Sequence, residues 1–521
     1  MRISETGAEV HDAGRFQAAR SRISGLAAFV AICLVPLVLH GIFLNAPFER
    51  DEGVYATIAQ GLLDGKLPYR DLFDHKPPLV YFWYAVGFTF FGEDVASPRI
   101  LSALSLSLTT AALLAQALLV FPRRMAYTGA LLFAFSTGIP HVALHANTQP
   151  FMMLPLAGSL LFFTIGIRSG NRWWLLAAGA AGTIAIMSKQ PAVWNLAALM
   201  VMAFWWRWGE KSGPSALAAP AVVLGGAVLM AGLLLLPFVA TRTTDDFFYA
   251  NVAYNFRYVD DVLTAEERLF LVKRAFVFLL FFITAAAPLV FGSIAGLLAA
   301  LNERKSFWLY LLLAWTAGSA LGVAMGTRFY PHYFLQLLPA MAFLTALAVH
   351  VRLRDAGLRK MHPALPAAAI ALVLISTITV LLLYIDPRGT YRQFSHLVYY
   401  QAVWEADSRV VGAWIAERTD EDERIFSYGR EAQIYFYADR LPAVRFFTDW
   451  AYLYDPGTLG ETIEDLRREP PRYIIDTVLP PLFEETDRAP EMERLLADKY
   501  RYVGRVKFAD IYELREPVVR P

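Results

Sequence analysis

The sequence predicts a polytopic α-helical membrane protein that carries a soluble α/β domain at its C-terminal end. Three observations predict it. Of the 521 residues, 56% are hydrophobic and only 18% are charged, and the mean hydropathy of +0.41 lies outside the range of ordinary soluble domains. Apolar runs long enough, or nearly long enough, to cross a bilayer recur as far as about residue 384. From Asp386 onward the composition turns charged and aromatic, with shorter apolar runs.

The long runs fall at about 24–44, 100–120, 126–140, 151–167, 173–187, 191–206, 218–240, 273–300, 307–325, 334–351 and 364–384, about eleven transmembrane helices. A shorter run at about 79–91 follows a double proline and is expected to be a surface or re-entrant helix. Counting it as a crossing would reverse every later orientation. The distribution of cations supports the non-crossing reading. With the N-terminus in the cytoplasm, the inside loops carry Arg123 and Arg124, Arg168 and Arg172, Arg207 and Lys211, Arg304 and Lys305, and the cluster Arg352, Arg354, Arg359 and Lys360. Outside connections near 141–150, 188–190 and 326–333 have none or one.

The first run follows Arg15, Arg20 and Arg22, as a signal peptide would, but Asn45-Ala46-Pro47-Phe48 gives weak cleavage chemistry and a retained span is expected. The expected organisation is a cytoplasmic tail at 1–23, a membrane region at 24–385 with a first outside loop at 45–99, and a periplasmic domain at 386–521. Within that domain, strands are expected at 424–428, 473–475 and 502–506, and helices near 403–418 and 457–468. A formal charge of +1 offers no basic surface for nucleic acid. The single cysteine, Cys33, lies in the first run and reads as an apolar filler.

The first outside loop holds the densest chemistry: Glu49-Arg50-Asp51-Glu52-Gly53, Tyr69-Arg70-Asp71 and Asp74-His75-Lys76-Pro77-Pro78. Ionisable groups beside a bilayer are costly unless solvated or used. From Asp51 to Asp64, Val54, Ile58 and Leu62 recur every four residues, which predicts an amphipathic helix lying on the membrane. Asp51 and Glu52 at its start are either caps favoured by unpaired amides or catalytic carboxylates. The double proline suits a helix start, so Lys76 with the following free amides could form a phosphate site; a snorkelling lysine is the alternative. Arg70, Asp74 and His75 fall in the same loop.

Three other outside connections carry polar groups. Arg328, Tyr330 and His332 in Thr327-Arg328-Phe329-Tyr330-Pro331-His332-Tyr333 could clamp a phosphate and a sugar face, or could form an interface belt. Lys189 beside Gln190 invites the same two readings. His141, His145, Asn147 and Gln149 share a loop without a carboxylate, which is a poor metal set. The loop at about 241–272, with Asp245, Asp246, Asn251, Tyr254, Asn255 and Arg257, could touch substrate or simply be solvated.

The order of these motifs resembles the bacterial GT-C glycosyltransferases, more narrowly families thirty-nine and eighty-three, the protein mannosyltransferases and the aminoarabinose transferase of lipid A. The resemblance covers about residues 24–385 and implies a GT-C fold in the bacterial inner membrane. It implies transfer of a sugar from a polyprenyl-phosphate donor to a glycan, lipid or protein acceptor, with membrane lipids as the remaining partners. It matches Asp51 to the first-loop acidic residue assigned to catalysis with Glu52 beside it, Lys76 to the lysine on the carrier phosphate, and Arg328 and His332 to a later loop associated with the donor. Two departures bear on metal binding: the aminoarabinose transferase has glutamate where this chain has His75, and relatives often have an acidic residue where Gln149 stands. A divalent cation therefore stays possible as a cofactor without an assigned ligand set.

The chemistry is coherent without the family. A departing phosphate monoester needs cations and an acceptor hydroxyl needs a base, so one carboxylate and a basic clamp suffice for direct displacement with inversion. The competing expectations are a ligase using a diphosphate-linked donor and a non-enzymatic transporter or flippase. A transporter would place its ionisable groups near the midplane on broken helices.

Overall fold

A computed structural model of the chain describes residues 24–139, 142–210, 214–260, 265–303, 305–355, 402–477 and 489–515. The expected tail at 1–23, the span at 364–384, the cations Lys211, Arg304, Arg359 and Lys360, and His141 lie outside the described residues, as does the boundary at 386. The apolar runs form the helices of the bundle: α1 (Ser24–Gly41), α4 (Ala96–Val120), α5 (Arg123–Ser136), α6 (Thr148–Ser169), α7 (Arg172–Ser188), α8 (Val193–Glu210), α9 (Ala218–Ala240), α12 (Ala265–Ala285), α13 (Ala287–Asn302), α14 (Phe307–Met325) and α15 (Leu338–Asp355). Between them lie α2 (Arg50–Leu63), α3 (Leu79–Phe91), α10 (Thr244–Phe248) and α11 (Tyr254–Asp260).

Among the described residues, α1, α4, α6, α9 and α14 are each long and apolar enough to cross a membrane alone. The run expected as one span at 273–300 is instead two helices, α12 and α13, meeting at 85°. The break falls at Ala286, with Pro288 in the first turn of α13, where a proline lacks the amide that would continue α12. The run expected from 334 begins as a short 3₁₀ turn at Pro331–Gln336, and α15 starts only at Leu338. Helix α3, at 13 residues, spans roughly 20 Å, too short for a hydrocarbon core of about 30 Å.

Helix α2 corrects the expectation of a helix resting on the membrane by one face. It is buried continuously from Glu52 to Gly61. The stripe of Val54 and Ile58 packs in one apolar core with α3 and the C-terminal domain. The polar side is covered as well: Thr57 Oγ1 donates to the carbonyl of Ala432 at 3.4 Å and Gln60 Nε2 to Asp439 Oδ1 at 3.2 Å. Gly53 is what lets the two backbones meet, because a Cβ there would lie 2.4 Å from the amide nitrogen of Gln433.

The C-terminal domain is built on a four-stranded sheet, β1 (Phe426–Tyr428), β2 (Tyr473–Asp476), β3 (Tyr500–Val506) and β4 (Ala509–Leu514), in the order β1-β2-β4-β3. β1 runs parallel to β2, with Phe426 opposite Ile474, and β4 pairs antiparallel with both β2 and β3. Helices at Ala402–Ala416 and Gly457–Arg468 stand where the sequence places them, joined by Gln433–Ala438, Asp449–Tyr454 and Pro490–Lys499. The domain caps one end of the helix bundle. Arg445 fixes it there, donating through Nε to the carbonyl of Tyr69 at 2.8 Å and pairing with Asp246 at 2.9 Å.

Candidate active site

Two carboxylates in the first turn of α2 point into different surroundings. Glu52 is fully buried and saturated. Its Oε2 lies 2.7 Å from Arg99 Nη2 and accepts the Glu49 amide at 3.1 Å, and its Oε1 accepts from Arg99 Nε at 3.1 Å and from the Ala146 amide at 2.8 Å. Burial alone would raise its carboxyl, but Arg99 and His145 outweigh that and hold it well below the usual carboxylate range. Arg99 uses its remaining donors on the carbonyls of Phe43, Leu44, Ala46 and Pro47, tying down the chain between α1 and α2. Glu49, hydrogen-bonded by Asn147 Nδ2, is pushed up to about 7 by burial and the nearby carboxylates of Asp51 and Glu52, against His145.

Asp51 has a different setting. Among the described residues no hydrogen bond or ion pair reaches its half-buried carboxylate. Its charge is felt instead by Lys189, His75, Tyr258 and Tyr333. Lys189 is 7% exposed at the C-terminal end of α7, its ammonium 4.0 Å above the Tyr333 ring. Burial and the charge of Lys76 push its pKa well below the ordinary lysine value. Lys76 and Lys189 are thus close enough to repel. Among the described residues neither has a carboxylate within ion-pair distance.

His75 sits beside Lys76, with Nε2 2.7 Å from the ammonium and Nδ1 3.2 Å from Asp74 Oδ1. Its ring lies against Tyr258 and Tyr254, with centroids 5.1 and 5.5 Å away. Across Tyr258 lies Arg328, whose guanidinium stacks 4.8 Å from that ring and 5.5 Å from Tyr454 of the C-terminal domain. Both neighbours of Arg328, Thr327 and Phe329, adopt left-handed backbone with φ of 54° and 51°. That conformation is costly for residues with a Cβ and is found where a side chain must be aimed. Tyr330 and His332 stack on each other at 5.6 Å, and His332 meets the edge of Tyr333, the ring under Lys189.

The structure therefore gathers Asp51, Asp74, His75, Lys76, Lys189 and Arg328 around one site, with Tyr330 and His332 on its border. It does not bring in Arg70, which is half-exposed and paired with its neighbour Asp71 at 2.9 Å. It places Glu52 in the buried ion pair with Arg99, turned from the site. Residues the sequence reading left out are Arg99, hidden at the edge of an apolar run, and Tyr258, Tyr333 and Tyr454. The 326–333 motif already contained Tyr333, and the aromatic content of the long fourth loop was the only signal for Tyr258. Among the described residues no three His, Cys, Asp or Glu side chains are grouped to hold a metal ion. Both nitrogens of His75 face Lys76 and Asp74, so the donors present do not fit a cation.

A helix bundle with charged side chains gathered under a small α/β cap is the architecture of the GT-C membrane fold. Within that class the likeness is to the ArnT type. Residues 75–236 match the profile of the dolichyl-phosphate-mannose-protein mannosyltransferase family. The undecaprenyl phosphate-alpha-4-amino-4-deoxy-L-arabinose arabinosyl transferase of Pseudomonas savastanoi pv. phaseolicola is 32% identical over 193 residues, 34% of each chain. That of Pseudomonas aeruginosa PAO1 is 33% identical over 217 residues, 38% of each chain. The matched stretch thus spans little more than a third of the length of these curated relatives. In three dimensions the correspondence is nearly complete: ArnT from Cupriavidus metallidurans, solved with undecaprenyl phosphate, superposes with a TM-score of 0.61 at 16% identity, covering 96% of this chain and 99% of that one. The apo oligosaccharyltransferase of Archaeoglobus fulgidus gives 0.51 at 13% identity, with coverage of 86% and 69%.

Proposed function

We propose that this chain is an inner-membrane glycosyltransferase that moves a sugar from a polyprenyl-phosphate carrier to a hydroxyl of a cell-envelope glycan, lipid or protein. The observation that carries the reading is the pair Lys76 and Lys189, two neighbouring basic side chains, one half-buried and one buried, without a carboxylate partner among the described residues. Such a pair is a poor way to stabilise a fold and a good way to receive a phosphate. The names of the relatives and the undecaprenyl phosphate of the Cupriavidus structure point to the same ligand.

In this reading Lys76 and Lys189 neutralise the phosphate as it departs with the second negative charge. Arg328, held between Tyr258 and Tyr454, adds positive potential from the side of the cap. Asp51 accepts the proton of the attacking hydroxyl, and its unpaired carboxylate is suited to that task. Direct attack opposite the leaving phosphate inverts the anomeric carbon, since Glu52, saturated by Arg99, supplies no nucleophile. The distribution of cations supports a periplasmic position for the site and the cap, where a carrier-linked sugar meets envelope acceptors.

The test is deletion of the gene, followed by mass spectrometry of polyprenyl-linked sugars and of surface glycans. Accumulation of one monophosphate-linked sugar and loss of that sugar from an envelope component is the expected result. Neither change, with membrane expression confirmed in the parent strain, would overturn the proposal in favour of a transporter.

A further inference from the structure

We infer that His75, braced by Asp74, is a positioning residue that holds the Lys76 ammonium at the place where the carrier phosphate is received. The inference rests on the reading of Lys76 as a phosphate ligand. An ammonium has donors only, so His75 Nε2, 2.7 Å from Lys76 Nζ, accepts and carries no proton. The ring proton then belongs on Nδ1, which lies 3.2 Å from Asp74 Oδ1 as a charge contact outside hydrogen-bond alignment. Asp74 is fixed in turn: Oδ1 accepts the His75 amide at 2.7 Å and Oδ2 the hydroxyl of Tyr81 at 2.9 Å.

The backbone of the pair is held as firmly as the side chains. The His75 carbonyl accepts from Asn255 Nδ2 at 3.0 Å and from Gln190 Nε2 at 3.4 Å. The Lys76 carbonyl accepts from Tyr69 at 2.8 Å and Tyr81 at 3.1 Å. Four side chains from three parts of the chain thus converge on two consecutive peptide groups. A lysine left to sample its rotamers would have to be ordered by the ligand, at the expense of affinity. Here the ordering is built into the fold.

The relay has a consequence for pH. A proton added at Nε2 would face the ammonium and turn the hydrogen bond into repulsion. The charged and titratable groups around the ring are Asp74 and Lys76 on its own loop, Asp51 from α2, and Tyr254 and Tyr258 from α11. Burial and Lys76 hold the imidazole below the ordinary histidine value, against Asp74 and Asp51. The relay therefore stays intact at neutral pH and is released in acid.

The experiment measures binding of undecaprenyl phosphate to the purified full-length chain in detergent, for wild type, His75→Gln, His75→Phe, Lys76→Ala and the double variant His75→Phe/Lys76→Ala. Glutamine keeps an acceptor; phenylalanine keeps the ring shape without one. The expected result is about tenfold weaker binding for His75→Phe and less than about threefold for His75→Gln, as loss of a charge-assisted hydrogen bond implies. Adding His75→Phe to Lys76→Ala should change nothing further, and wild-type affinity should fall in acid on a limb that His75→Gln lacks. Wild-type binding by His75→Phe, or an undiminished loss in the Lys76→Ala background, would overturn the inference. Wild-type binding by Lys76→Ala would instead overturn the assignment of Lys76, and the inference with it. Should His75→Phe not fold, the acid limb of His75→Gln decides: its absence supports the relay and its retention overturns it.

Discussion

Glu52 and Asp51 share one helical turn, yet the corner around Glu52 is electrostatically complete and the corner around Asp51 is not. Glu52 meets Arg99 through both oxygens, and Arg99 in turn binds four carbonyls of the preceding connection. Among the described residues no hydrogen bond or ion pair reaches the Asp51 carboxylate, and no carboxylate pairs with Lys76 or Lys189. The saturated corner is what a buried ion pair needs to be tolerated at all. The unsaturated corner carries a standing cost that only a ligand removes, which is the signature expected of a binding site rather than of a scaffold.

The contrast can be broken in stages, beginning with the largest effect. Asp51→Asn should reduce turnover by about a hundred- to ten-thousand-fold, the usual worth of general-base assistance, in a steady-state transfer assay with the protein still inserted in the membrane. Near-normal turnover would remove Asp51 from the chemistry.

A smaller effect concerns Glu49, whose folded pKa of about 7 exceeds its ordinary 4.5. The folded state then binds more protons between those values, so stability is greatest below the lower one and falls as pH rises to the higher. The span is up to about 3 kcal/mol. Thermal melts of wild type across pH 4.5–7 should show that slope, and Glu49→Gln should flatten it.

Lys189 offers a subtler probe. Its pKa is depressed by burial and by Lys76, and a bound phosphate would raise it again. Binding should therefore take up protons, and affinity should weaken as pH rises above the depressed value. Calorimetry in buffers of different ionisation enthalpy reads the uptake directly, and Lys189→Met should lower it. The smallest expected effect is at Arg70, half-exposed and, among the described residues, paired only with Asp71. Arg70→Ala should leave donor KM and turnover within about twofold of wild type, as an exposed ion pair is worth under about 1 kcal/mol.

The same contrast marks what was legible in the sequence. Hydropathy located the helices because long apolar runs have few alternatives, and it erred where local rules intrude, at the Ala286 break before Pro288 and at the 3₁₀ turn before α15. Three of the four strands were visible. β4 was missed because Asp510 and Glu513, which pair with Arg505 and Arg501 across the hairpin, dilute its apolar signal. At the site, the motifs named Asp51, Lys76, Lys189 and Arg328 by type. They could not say which of two adjacent carboxylates would be neutralised, because Arg99 lies 47 residues on from Glu52. Nor could a period-four stripe reveal that α2 is covered on its polar side, since Ala432 and Asp439 come from the far end of the chain.

The most direct test is a parallel thermal unfolding of Glu52→Gln and Asp51→Asn in the same detergent. Breaking the buried pair with Arg99 should cost about 3–5 kcal/mol in Glu52→Gln. Asp51→Asn should lie within about 1 kcal/mol of wild type, the worth of a charge at a helix start. Equal destabilisation of the two variants, or a Glu52→Gln protein that melts with wild type, would contradict the division of α2 into a structural corner and a working one.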